Sequence, residues 1–175
     1  MNEHISSAYD RDLESIQTLI VKMGGMVELA ILEAAKALES RDIERADIVR
    51  KGDKAVDELE EQINEEAART IALRAPVSKD LRALLSVLKL ASSLERVGDY
   101  AKNMAKRTPI LAEMAPISGA DAALRRMSKE VQSMLRAALD AFIRRDVELA
   151  ENVRQLDLEV DQMYNALFRK FLTYM

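Results

Sequence analysis

The stretch RDIERADIVRKGDKAVDELEEQI, Arg41 to Ile63, returns 104 positions later as RDVELAENVRQLDLEVDQMYNAL, Arg145 to Leu167. Nine of the 23 positions are identical: Arg41, Asp42, Glu44, Ala46, Val49, Arg50, Asp53, Val56 and Asp57. Unrelated sequences would share roughly one or two, and apolar exchanges such as Ile43 to Val147, Leu59 to Met163 and Ile63 to Leu167 fill the gaps. The chain is a tandem duplication. Within the first copy Val49, Val56, Leu59 and Ile63 fall at helical spacing, which makes the repeated element an amphipathic helix.

Working outward, 175 residues with 49% apolar content can bury a real core. Five glycines, three prolines and 4% aromatic residues beside abundant Ala, Leu, Glu, Arg and Met are the composition of long helices, so the expected class is all-α. The absence of cysteine removes disulfides, zinc fingers, iron–sulfur clusters and thiol nucleophiles. His4, the single histidine, stands among polar residues near the N-terminus and reads as solvated, which leaves no material for a histidine triad. A net charge of −4 with both signs interspersed argues against nucleic acid as a partner. Pairs such as Arg125/Arg126 and Arg144/Arg145 read as solvated helix faces. No signal peptide is apparent in MNEHISSAYDRDLES, and no apolar run approaches the about 20 residues that cross a bilayer. A cytoplasmic protein without membrane insertion is expected.

Periodicity and breakers predict five helices. The first covers Asp10 to Ser40 on Leu13, Ile16, Ile20, Met23, Val27, Ile31 and Ala34, with Gly24-Gly25 as a point of bending or close approach. The second runs from Asp42, its N-cap, to Leu73. Pro76 ends it, and Ser78 is placed to cap a third helix over Lys79–Arg107. Pro109, Pro116 and Gly119 mark Thr108–Ala120 as a linker, followed by helices over Asp121–Arg145 and Asp146–Thr173. The repeat then divides the chain into residues 1–110, with three helices, and 117–175, with two. The counterpart of the third helix would begin near position 183, so the second unit is expected to be incomplete. A two-helix hairpin cannot cover the Leu149, Val153, Leu156, Val160, Met163 and Leu167 stripe, which predicts either completion by another chain, as a homodimer, or a fragment whose missing helix would have filled the gap.

Duplication also preserves an acidic pair, Asp53/Asp57 and Asp157/Asp161. Carboxylates at i and i+4 share a helix face and can hold a hard cation together. With acids at about one position in six, roughly five such pairs arise by accident, so a single pair ordinarily marks a solvated face. Three features move this pair away from that reading. It recurs in the repeat, it sits on the shoulder of the apolar stripe, and the third helix carries a matching pair, Glu95/Asp99, beside Gly98. If helices two and three are neighbours, four carboxylates converge. All-oxygen donors suit Mg, Ca or Mn, with Fe or Zn also open; ion pairing to Arg50, Arg96, Lys102 or Lys106 is the alternative use of the same acids.

Pro76-Val77-Ser78-Lys79-Asp80-Leu81-Arg82, followed by Glu95-Arg96-Val97-Gly98-Asp99 and Asn103, resembles the PhoU family of bacterial phosphate-signalling proteins over essentially the whole chain. The resemblance implies tandem three-helix bundles carrying metal clusters on acidic motifs, here Asp53, Asp57, Glu95 and Asp99, with Asp157 and Asp161 left from a second site. It also implies a regulatory adaptor with no catalytic activity. Its partners would be the ATPase subunit of a phosphate ABC transporter and a sensor histidine kinase, and its role to repress phosphate-starvation signalling and limit uptake. That agrees with a sequence holding no phosphate-cradling Gly-rich loop and no nucleophile paired with a base. The competing class is a metal-dependent hydrolase or redox protein built on the carboxylates.

Overall fold

A computed structural model describes residues 2–117 and 119–173, with side chains from residue 8 onward, so the side chain of His4 and the linker residue at 118 lie outside the described residues. Five helices and no strand occur among them: α1 (Asn2–Ser40), α2 (Ile43–Arg74), α3 (Ser78–Ala112), α4 (Ala120–Arg144) and α5 (Val147–Leu172). The all-α reading holds, with the five helices in the expected order.

Several boundaries are corrected. α1 begins at Asn2 rather than Asp10 and passes through Gly24-Gly25 unbroken. A Cβ added at Gly25 would meet nothing within 4 Å, whereas Gly24 is buried. α3 continues through Pro109 to Ala112, which shortens the expected linker. Proline costs a helix one amide bond and crowds the preceding turn, and with only one turn left to run that cost is confined to the helix end. Asp42 caps α2 as expected, accepting from the Arg45 amide at 2.9 Å, and Asp146 does the same for α5 from Leu149 at 2.9 Å. Ser78 is the first residue of α3, at φ 51, rather than a residue ahead of it.

By packing, the chain divides into two compact units that cut across the helices: residues up to 27 with 52–100, and residues 28–51 with 101–175. The packing units thus differ from the two repeats of the sequence.

In the first unit, the Tyr9 hydroxyl donates to the Asp80 carbonyl at 2.8 Å, and Arg74 pairs with Asp12 at 2.9 Å. α3 therefore runs parallel to α1, and α2 antiparallel to both. Ile16, Ile20, Met23, Val27, Val56, Leu59, Ile63, Leu84, Val87 and Leu94 fill the interior, none more than 5% exposed. The seam of α3 runs through Leu84, Val87, Ala91, Leu94, Gly98 and on to Ala101, while Leu85 is exposed. Small residues at the centre of the seam allow close helix approach, and a ranking by hydrophobicity passes over them. The expectation of no membrane-length apolar run is corrected as well. Ala8–Ser40 is long and apolar enough by length and composition, with mean hydropathy 1.4. Ile16, Ile20, Met23 and Val27 of this helix lie in the core just described, while Val21 and Leu29 are exposed.

In the second unit, Arg45 pairs with Glu33 at 2.7 Å across the α1–α2 turn. Arg125 meets Glu39 at 3.1 Å and Arg136 meets Glu28, so α4 runs antiparallel to this part of α1. Such exposed pairs set register and contribute at most about 1 kcal/mol each. α4 packs on α5, burying Leu139, Ala141 and Leu167. Leu149, Val153, Leu156, Val160 and Met163 are only half-buried, the incomplete cover expected of a hairpin.

Candidate carboxylate site

Because α2 and α3 are antiparallel neighbours, the one-turn spacing within each helix carries two acids from each to a common patch. Asp53 is buried at 7% exposure, Glu95 and Asp99 are half-buried, and Asp57 is exposed. Glu95 records the convergence. Its carboxyl is held above the ordinary range first by loss of solvent, then by the negative charges of Asp99, Glu60, Asp57 and Asp53. All four residues expected of the first site are thus brought together.

Glu60 is a fifth member that sequence reasoning missed. It lies three residues beyond Asp57 and seven beyond Asp53, on the same face of α2. The repeat concealed it, since Tyr164 occupies the equivalent place in the second copy. Gly98, between the two acids of α3, faces both α1 and α2. A Cβ there would stand 3.4 Å from Val56, 3.7 Å from Val27 and 3.9 Å from Asp53 Oδ1, ordinary contacts that alanine would satisfy. Close packing alone therefore does not require glycine at this position.

The donor set is all oxygen and suits hard cations such as Mg, Ca or Mn better than soft ones. Among the described residues, no three of these carboxylates stand together closely enough to hold one ion as placed. Of the cations weighed as alternative partners, Arg50 pairs with Asp47 at 3.7 Å and Lys106 donates to Asn103 at 3.4 Å, so these two are directed elsewhere. Asp157 and Asp161 are exposed on α5, with no hydrogen bond or ion pair among the described residues and no third carboxylate completing a group.

The model of the PhoU domain matches residues 20–108 and again 124–175, once over each copy of the repeat. The chain belongs to the PhoU family. A phosphate-specific transport system accessory protein PhoU homolog of Caulobacter vibrioides is 41% identical over the full chain, which spans 76% of that relative. The corresponding homolog of Zymomonas mobilis is 42% identical over 98% of the chain and 72% of its own length. Among solved PhoU structures, that from Pseudomonas aeruginosa superposes with a TM-score of 0.90 at 36% identity, over 95% of this chain and 80% of the other. PhoU of Streptococcus pneumoniae, a phosphate transport system regulatory protein, gives 0.88 at 30% identity, over 95% and 78%. The tandem PhoU architecture read from the duplication and from the Glu95-Arg96-x-Gly98-Asp99 signature is therefore the fold of the family.

Proposed function

We propose that this chain is a regulator of phosphate homeostasis in the cytoplasm, an adaptor linking the ATPase subunit of a phosphate ABC transporter to a sensor histidine kinase. In this role it holds phosphate-starvation signalling off and limits uptake. It is a binding module rather than an enzyme. The observation that carries the reading is likeness to accessory proteins of phosphate-specific transport across the whole chain, together with the matching fold. Long helix faces suit recognition of other proteins, while turnover would need a nucleophile paired with a base, for which the sequence offers no motif.

Asp53, Asp57, Glu95 and Asp99 would hold a divalent or ferric ion, with Glu60 at the edge of the same patch. A bound cation would supply the positive charge that offsets their mutual repulsion and fix α2 against α3. Asp157 and Asp161 would contribute half of an equivalent site on α5.

Capture from bacterial lysate at high and low phosphate tests the adaptor role, with Glu95→Gln/Asp99→Asn beside wild type. Recovery of transporter ATPase and kinase components is expected. Recovery of neither, while a full-length relative captures both, would count against it. Elemental analysis tests the metal, and phosphoesterase turnover abolished by Asp99→Asn would favour the hydrolase reading instead.

A further inference from the structure

Basic side chains are used differently on α2 and α3. All six in α2, from Arg45 to Arg74, are ion-paired. On α3, Arg82, Lys89 and Arg96 are exposed, and among the described residues none of the three makes an ion pair or a side-chain hydrogen bond. Lys and Arg outnumber Asp and Glu by seven to three along α3, whereas acids lead by nine to six in α2 and by seven to three in α1. Glu95 and Asp99, the two central acids of α3, belong to the carboxylate patch shared with α2. The outward face of α3 is left with positive charge alone.

The three unpaired cations stand seven residues apart, all within the first packing unit. That spacing keeps them on one line that drifts by only about 20° per step, over roughly 21 Å from Arg82 to Arg96. Ser86, Ser93 and Tyr100 form a second exposed line one turn further on, again at intervals of seven. The two serine hydroxyls donate to the Arg82 and Lys89 carbonyls at 2.8 and 2.9 Å, so they are folded onto their own helix and stand low beside the long cationic side chains. Leu85, 44% exposed, and Tyr100, 64% exposed, supply apolar surface near the two ends.

We propose that this face of α3 is the docking site for an acidic α-helix of a protein partner, with carboxylates at every seventh residue set against Arg82, Lys89 and Arg96. A seven-residue repeat is the period at which one helix follows another, and the low serine line lets a partner backbone come close. Leu85 and Tyr100 anchor the ends, while the charges select the partner and fix its register. An anionic bilayer also attracts basic faces, but it reads charge over a wide area. Here α1 and α2, both net acidic, and the overall charge of −4 oppose it, whereas a single helix meets only the stripe. The site rests on the adaptor reading, to which it gives one contact surface.

The probe is a labelled alanine-based helical peptide about three heptads long, with glutamate at every seventh position and leucine beside it, titrated with the full chain by fluorescence anisotropy at low ionic strength. Saturable binding that weakens with salt is expected, together with loss of binding when glutamine replaces glutamate in the peptide. Arg82→Glu/Lys89→Glu/Arg96→Glu changes only exposed side chains and should keep its helicity while weakening binding by about tenfold or more. Lys51→Glu/Arg69→Glu, which reverses two paired cations on α2, should leave binding unchanged. Absence of binding by the acidic peptide overturns the proposal, as do equal binding by the triple variant and equal binding of the glutamine peptide. Sedimentation with phosphatidylglycerol vesicles without peptide binding overturns it in favour of a membrane. Stripe-dependent peptide binding by a chain that captures neither transporter nor kinase components would support the site and count against the adaptor role alone.

Discussion

In the first copy of the repeat, Val49, Val56, Leu59 and Ile63 are 7% exposed or less; at the matched positions of the second copy, Val153, Val160 and Met163 are half-open and only Leu167 is buried. The acidic pair diverges likewise, with Asp53 buried beside α3 and Asp157 standing in solvent. The local instruction is nearly the same in both copies, and the helix and its cap form in both. What differs is the neighbour. α2 packs against both α1 and α3, whereas α5 has α4 against it, so equal sequence yields unequal burial and hence unequal stability.

Truncation at matched sites gives the largest expected contrast. Ile63→Ala should destabilise by about 2–5 kcal/mol, since that side chain is wholly enclosed. Val56→Ala should cost about 2 kcal/mol and Val160→Ala less than about 1 kcal/mol, read from urea unfolding of dilute protein. Equal costs in the two copies would mean that the second face is covered in solution, and a cost at Val160 that rises with protein concentration would identify the cover as another copy.

Backbone and charge beside the first acidic pair give smaller effects. Gly98→Ala should stabilise by up to about 1 kcal/mol, because a helical glycine gives way to alanine where a Cβ meets only ordinary contacts. A loss instead would show that the α2–α3 seam is tighter than those contacts imply. Glu95→Gln should raise the melting temperature modestly in ion-free buffer near neutral pH. The sign follows from its raised folded pKa: the native state binds the proton more readily than the unfolded chain, so rising pH charges Glu95 against its neighbours and lowers stability. With divalent ions present the same change should reduce ligand-induced stabilisation, and gains of equal size with and without ions would argue against an ion at this patch.

The smallest effect is expected at a cap. The Asp42 carboxyl is held below its ordinary range by the Arg45 backbone amide, then by the Arg45 side chain. Its contribution is therefore present above the ordinary aspartate range and is lost as pH falls through the depressed value. Asp42→Asn, which caps without titrating, should match wild type near neutrality and lose less on acidification below about pH 4. An unchanged acid limb would show that the cap does not titrate with folding.

Much of this was legible in residue order. The stripes of α1 and α2 were read nearly as they pack, because side chains such as Ile16, Ile20, Met23, Val56 and Ile63 recur at helical spacing and have one energetically acceptable direction. Asp42 was readable as a cap because it precedes the first apolar turn. Ala91 and Gly98 in the seam of α3 were not, since they carry little hydrophobic signal and are interior only because two neighbouring helices converge on them. Glu60 escaped for a related reason: its role depends on Glu95 across the interface, and the duplication that drew attention to Asp53 and Asp57 has Tyr164 in its place.

By itself the sequence determined the order of the helices, the Asp42 cap, the duplication and the family, all set by spacing along one chain and by short-range backbone chemistry. Only the tertiary structure decided which copy of the repeated face is enclosed, that five acids share one patch with Glu95 driven toward protonation, and that Arg82, Lys89 and Arg96 stand on the face of α3 that its neighbours leave open. Those properties depend on the distance between segments remote in sequence, and burial and Coulomb energy are functions of that distance.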